Sequence, residues 1–350
     1  MRLDRLSGRS TRLAGPITVT IVLAGLWLGD SAFWIYNLTL VGAYAIVVIG
    51  LNILLGYAGL VSFAQTAFMA VGGYGVAILS VRHAVDPWLG LIAGMAVAAV
   101  AAALIGLALF RLRGHYLTMA SFALAMGVFG YATAAVSFTG GSVGIAGVPP
   151  FVLGSFTFSD PRHAYVLVWV LVGLCAWAGV RARDSHVGRA WRTIADNENV
   201  AASLGLPVLR YKLIAFVIAA VMGALGGGLY VDFTSYANPE LYAPAIIVNI
   251  FLMLFLGGRG HTLGPIVGAA IVVIVPLQIA GLSDIQAIIF NLALLVLILV
   301  LPGGLLDARS WRGLAAPLRR LRALGGADAQ MAHTADAELE PAALAGRSRR

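Results

Sequence analysis

The chain has 350 residues, 60% of them hydrophobic and only 11% charged, with a formal net charge of +8. Soluble domains carry about 25% charged residues, so a water-soluble globule of this composition lacks the polar side chains to cover its surface. The composition points to a membrane, and the basic excess is accounted for by anchoring on one membrane face rather than by nucleic acid.

A helix needs about 20 apolar residues to cross the hydrocarbon core. Residues 13–29, 31–81, 87–110, 114–159, 163–180, 213–231, 241–258, 260–283 and 285–306 contain no Asp, Glu, Lys or Arg. The first run follows a basic start without a small-residue cleavage site, so it reads as a retained first helix. The 31–81 run is too long for one span and reads as two, broken near Gly56–Val61. The 114–159 run reads as one span and then a loop, Thr139–Pro150, rich in Gly and ending in two prolines. Together these runs predict about ten transmembrane helices. Backbone groups in lipid must be satisfied internally, so the expected fold class is all-α, a polytopic transmembrane helical bundle. A β-barrel is disfavoured because the runs are continuously apolar rather than alternating.

Charge sets the orientation. With both termini cytoplasmic and ten spans, every basic residue except Arg82 and Arg162 falls on the cytoplasmic side, as the positive-inside rule requires. One integral domain is expected over 14–306, with a cytoplasmic basic tail at 307–350. That tail lacks a sustained apolar face and is expected to be disordered, apart from a basic surface helix near 309–322. Four glycine pairs at small-xxx-small spacing, Gly25/Gly29, Gly90/Gly94, Gly223/Gly227 and Gly264/Gly268, predict close helix packing.

Catalytic and nucleotide motifs are missing from the sequence. There is no GxxxxGK[ST], and the one lysine, Lys212, follows Tyr211. The glycine-rich stretches at Gly140–Gly147 and Gly257–Gly264 do not open a helix after a strand. The histidines are scattered, and Cys175 stands alone inside a span, so neither a disulfide nor a metal site is expected. We therefore expect no enzyme and no cofactor. The charge-free spans also disfavour ion coupling through an intramembrane carboxylate.

Neutral polar residues inside the runs include Asn52, Ser62, Gln65, Thr66, Asn249, Gln278 and Asn291. Such side chains either hydrogen-bond to a neighbouring helix or line a path. Asn52, Ser62 and Gln65 flank the Gly56–Gly59 break, where an interrupted helix can border a cavity, and are the candidate path residues.

The 181–212 loop is the longest charged segment between spans. After Thr193 its pattern predicts a short helix, with Asp196 and Glu198 early, where the helix dipole favours acids. Ala201, Ala202 and Leu204 follow, Gly205 is a plausible stop, and Pro207 comes two residues later. Spacing alone leaves two readings open, a helix that seats in a groove of another protein and a plain connecting loop.

This segment resembles the cytoplasmic coupling loop of ATP-binding-cassette (ABC) importer permeases. More narrowly, the chain resembles the LivM-type permeases of branched-chain amino acid importers. The resemblance runs in order through Gly50–Leu79, Tyr116–Ala125, Thr139–Pro150, Gly188–Ala220, Phe255–Ala270 and Leu301–Leu306. It implies a permease subunit of the bacterial inner membrane, carrying leucine, isoleucine and valine. It implies as partners two ABC ATPase subunits, a second, LivH-like permease and a periplasmic substrate-binding protein. Asp196, Asn197, Glu198, Ala201, Ala202 and Gly205 would form the ATPase-coupling surface. One departure is that Ala201-Ala202-Ser203 lacks the Glu often present in the family, which alters the charge at that surface. Similar permeases carry other amino acids, amides, urea or sugars, and a self-contained secondary transporter is the rival class. Such a carrier has no need of a docking helix.

Overall fold

The computed structural model describes residues 32–112, 114–153, 156–278 and 305. The expected span at 13–29, that at 285–306 apart from Leu305, both termini, the Gly25/Gly29 pair, Asn291 and the 307–350 tail lie outside these residues.

Helix α1 (Ala32–Leu51) runs directly into a π-helical stretch, Asn52–Tyr57. Irregular chain follows to residue 64, and α2 spans Gln65–His83. The break expected near Gly56–Val61 falls here. Helix α3 (Pro87–Leu109) has Pro at its first position, where the missing N–H costs nothing. Its cap is Asp86, whose carboxylate accepts the Trp88 N–H at 2.8 Å. Helix α4 spans His115–Ala134. The chain then passes through two short turns, strand β1 (Ile145–Ala146) and a hairpin of β2 (Val152–Leu153) and β3 (Phe156–Thr157). Helix α5 (Pro161–Asp184) repeats the Asp-Pro start, with Asp160 accepting from Arg162 N at 2.9 Å. Then come α6 (His186–Asp196), α7 (Glu198–Ser203) and α8 (Val208–Thr234). Strand β4 (Tyr236–Ala237), α9 (Pro244–Gly257) and α10 (Gly264–Gln278) complete the described chain. Each of the eight expected spans within the described residues is helical.

Among the described residues, five helices are long and apolar enough to cross a membrane: Ala32–Tyr57, Pro87–Leu109, His115–Ala134, Pro161–Asp184 and Val208–Thr234. Helix α2 is absent from that set for a physical reason. It lies within the bundle and is mostly buried. A helix shielded from lipid by its neighbours can carry Gln65, Thr66, Ser80 and three glycines without exposing them. Helices α9 and α10 are shorter; at 1.5 Å per residue their 14 and 15 described residues cover only about 21–23 Å.

Helix α8 is the central column, packed against α1, α2 and α3, while α5 lies on α1 and α9 pairs with α10. Glycine permits the closest approaches. A Cβ on Gly72 of α2 would land on the Ala224 carbonyl of α8, and one on Gly268 of α10 would land on the Met253 carbonyl of α9. The Gly90/Gly94 pair of α3 meets Gly72, Gly75 and Val76 of α2 in the same way.

The connections sort to two ends of the bundle. At one end the π-stretch and residues 58–64 meet α6 and the 258–263 turn, with α7 beside α6. Asn52 bonds to Gly260 and His261 there, and Gly59 abuts Ala195. Arg111, the six basic residues of 181–212 and Arg259 belong to this basic end. At the far end, Gly147 N and Val148 N donate to Ser235 O, β1 pairs antiparallel with β4, and Trp88 stacks on Phe151 at 4.3 Å. Arg82 and Arg162 lie at that end. Among the described residues, the basic side chains therefore gather mainly at one end of the bundle.

One expectation fails here. The spans are not free of charge, because α8 extends past the uncharged run and includes Asp232, which is buried. Its carboxylate accepts the Phe151 N–H at 2.9 Å. This ties the end of the helix to the loop beyond it.

Candidate functional site

The 181–212 segment folds as two short helices rather than one. Ser185 caps α6, its hydroxyl accepting the amides of Val187 at 3.2 Å and Gly188 at 3.4 Å. Gly188, Ala190, Trp191 and Ile194 form the buried face of α6, a helical period that was present in the sequence but was not read as a helix. Trp191 is the anchor, fully buried, with its indole N–H donating to Tyr211 O at 2.8 Å.

Asn197 interrupts the two helices in extended backbone and caps α7. Its side-chain oxygen accepts from Asn199 N at 3.0 Å and Val200 N at 3.2 Å. The acids are therefore divided. Glu198 lies in the first turn of α7, on the favourable side of its dipole. Asp196, expected beside it, is instead the last residue of α6. Glu198 Oε2 accepts from Lys212 Nζ at 2.6 Å, a contact that sequence reading missed.

Gly205 ends α7 with φ of +78°. Its N–H donates to Ala202 O at 2.9 Å, and Leu206 N donates to Ala201 O at 3.2 Å. These two bonds are a Schellman motif, and the left-handed residue at its centre favours glycine. The two alanines separate sharply. Ala201 is fully buried against the bundle, whereas Ala202 is exposed. The outward face instead carries two large apolar side chains, Val200 at 50% exposure and Leu204 at 69%.

The three candidate path residues are buried. Asn52 Nδ2 donates to His261 O at 3.0 Å, and its Oδ1 accepts from Gly260 N at 2.7 Å. Gln65 Nε2 donates to Val47 O at 3.1 Å and Ala219 O at 3.0 Å, bridging α1 and α8. Ser62 Oγ accepts the Ala64 N–H at 3.3 Å. All three have partners within the bundle in this conformation. An apolar pocket of about 420 Å³ lies elsewhere, between α2, α3 and α4, with Tyr74, Gly94, Val97 and Tyr131 among its walls. Among the described residues, no group of three His, Cys, Asp or Glu side chains is placed to hold a metal ion.

Comparisons with known proteins agree with this architecture. A family model described as branched-chain amino acid transport system / permease component matches residues 34–302. The chain is 27% identical to the high-affinity branched-chain amino acid transport system permease protein LivM of Escherichia coli K12, over 87% of this chain and 77% of that protein. It is 28% identical to the permease protein LivH of the same organism, over 77% of this chain and 93% of LivH. A probable LivM of Methanocaldococcus jannaschii is 25% identical over 67% of this chain and 77% of its own length. No solved structure matches. The chain is a multi-pass membrane protein and belongs to the family of permease components of branched-chain amino acid transport systems.

Proposed function

We propose that this chain is one of two permeases in an ABC importer that moves leucine, isoleucine or valine into the cell, with the basic end of the bundle facing the cytoplasm. The observation that carries this reading is the α6–α7 module. Trp191 and Ala201 anchor it to the bundle, while Val200, Ala202 and Leu204 are exposed among the described residues. A short capped helix with an apolar outer face fits a groove on a partner. The resemblance to ABC importer permeases names that partner as an ABC ATPase, one beneath each permease, and a chain without a nucleotide-binding loop of its own fits that division of labour. ATP-driven closure of the two ATPases moves α7, and the bundle responds by opening its far end to a periplasmic binding protein that delivers the substrate.

Helix α4 supports a second, LivH-like permease. It is the least buried of the five membrane-length helices and has the lowest mean hydropathy, 1.4. Ala123, Gly127, Gly130 and Ala134 recur along its exposed face, and a Cβ on Gly127 or Gly130 would meet nothing. Small residues on a lipid-exposed face let a second helix approach closely. Asn52, Ser62 and Gln65 act in this reading as rigid joints that hold the break between α1 and α2, bordering the path rather than contacting substrate in the described conformation.

The test is to purify the tagged chain with its neighbouring gene products and measure ATP hydrolysis with leucine and the binding protein. Co-purified ATPases with leucine-stimulated turnover support both class and substrate. Co-purification without a leucine response keeps the importer and transfers the substrate to other amino acids, amides, urea or sugars. A chain that purifies alone, and transports alone after reconstitution, makes it a secondary transporter and overturns the proposal.

A further inference from the structure

Lys212 is the chain's only lysine, and it is 6% exposed. It sits in the second turn of α8, the longest described helix and the central column of the bundle. Its ammonium donates to Glu198 Oε2 at 2.6 Å. Glu198 opens α7, and its side chain is 44% exposed. One ion pair thus joins the first residue of the short outer helix to the base of the long inner one. The preceding residue does the same for α6, since Tyr211 O accepts the Trp191 indole N–H at 2.8 Å. Two successive residues of α8 therefore each hold a different half of the α6–α7 module.

The covalent connection between α7 and α8 is a short turn whose Gly205 and Leu206 amides bond back to α7. Only Leu204–Pro207 separates them, and Gly205 within it is left-handed. A push on the outer face of α7 has two outlets. It can bend this linker and dissipate, or it can pass through a contact that makes α7 and α8 move together.

The geometry points to Lys212 as the positioning residue that sets this outcome. The Glu198–Lys212 pair is the joint that locks α7 to α8, so that displacement of α7 reaches α1, α2 and α3 through the central helix. The inference rests on the reading of α7 as the ATPase-contacting segment, and it names the side chains through which that contact acts.

The pair's asymmetry identifies the informative variant. Removing Glu198 would strand a buried ammonium, which is strongly destabilising. Replacing Lys212 with Met keeps the apolar stem, fills the same space and leaves a half-exposed carboxylate that water can solvate. Lys212→Met is therefore expected to fold and to assemble.

The experiment uses the complete importer in proteoliposomes, with its ATPases and loaded binding protein, and measures leucine taken up per ATP hydrolysed. Lys212→Met is expected to retain its ATPases and basal hydrolysis. Uptake per ATP should fall by roughly tenfold or more, within the usual span of coupling free energies, and stimulation by loaded binding protein should be lost. The reciprocal variant, Lys212→Glu with Glu198→Lys, should recover a substantial part of both. Wild-type uptake per ATP in Lys212→Met, even with a lower yield of complex, would reduce the pair to a structural contact and overturn the inference. So would a charge swap no better than Lys212→Glu alone. Wild-type chain that binds no ATPase is a different result, because it removes the importer reading before the joint is tested.

Discussion

Asn52 and Gly260 are 208 positions apart, yet the Asn52 side chain accepts the Gly260 amide at 2.7 Å and donates to the next carbonyl, His261, at 3.0 Å. One carboxamide thus satisfies both a donor and an acceptor of the α9–α10 turn and fixes that turn to the end of α1. Truncating it leaves two part-buried hydrogen bonds of that turn unmade, each worth about 0.5–1.5 kcal/mol. Asn52→Ala is expected to lower the thermal midpoint of the detergent-solubilised chain, followed by tryptophan fluorescence. Asn52→Asp is expected to lower it further, because it sets a carboxylate against the His261 carbonyl. Unchanged midpoints in both variants, together with altered substrate affinity, would return Asn52 to the path.

Glycine has two roles that mutation can separate. Gly72 lies where α2 touches α8, and a methyl group there would overlap the Ala224 carbonyl. Overpacking of this kind costs about 1–3 kcal/mol, or more where backbone must move, so Gly72→Ala is expected to reduce the yield of folded chain. Gly127 on α4 has nothing near it. Gly127→Leu is expected to leave the isolated chain's midpoint unchanged and to weaken its co-purification with a second permease. A paired permease that survives Gly127→Leu would move the contact off α4.

Gly205 gives a purely conformational test. Its surroundings are open, so a side chain meets no steric barrier, but φ is +78°. An L-residue other than Asn or Asp pays about 1–2 kcal/mol in this region, and a β-branched residue pays most. Gly205→Val is expected to unwind the end of α7 and reduce uptake per ATP in the assembled complex, while Gly205→Asn stays near wild type. Equal activity of the two would show that the Schellman turn has no part in coupling.

Local signals in the sequence carried far. The break after α1, the eight described helical runs and the stop at Gly205 were all legible, because each depends on a few neighbouring residues. Failures came where partners are distant or where a proxy was too coarse. The charge-free run ended one residue before Asp232, but a helix does not end where its charges begin. Asp196 and Glu198 looked like one acidic first turn, because the extended backbone at Asn197 that divides them follows from its cap geometry. Ala201 and Ala202 were read together, although a helix turns adjacent residues by about 100° and places one inward and the other outward. The Asn52–Gly260 and Lys212–Glu198 contacts were invisible, since no spacing rule connects residues across the bundle.

The most direct test of the account is a cysteine crosslink from α7. The native cysteine, Cys175, is buried, whereas Leu204, the residue that caps the end of α7, is 69% exposed. The assembled complex carrying Leu204→Cys would be treated with a short thiol-to-amine crosslinker, beside a control, Leu89→Cys, at the exposed far end of α3. The account expects a chain–ATPase adduct from Leu204→Cys and none from Leu89→Cys. An intact, hydrolytically active complex that gives no adduct from Leu204→Cys would contradict the assignment of α7 as the ATPase seat.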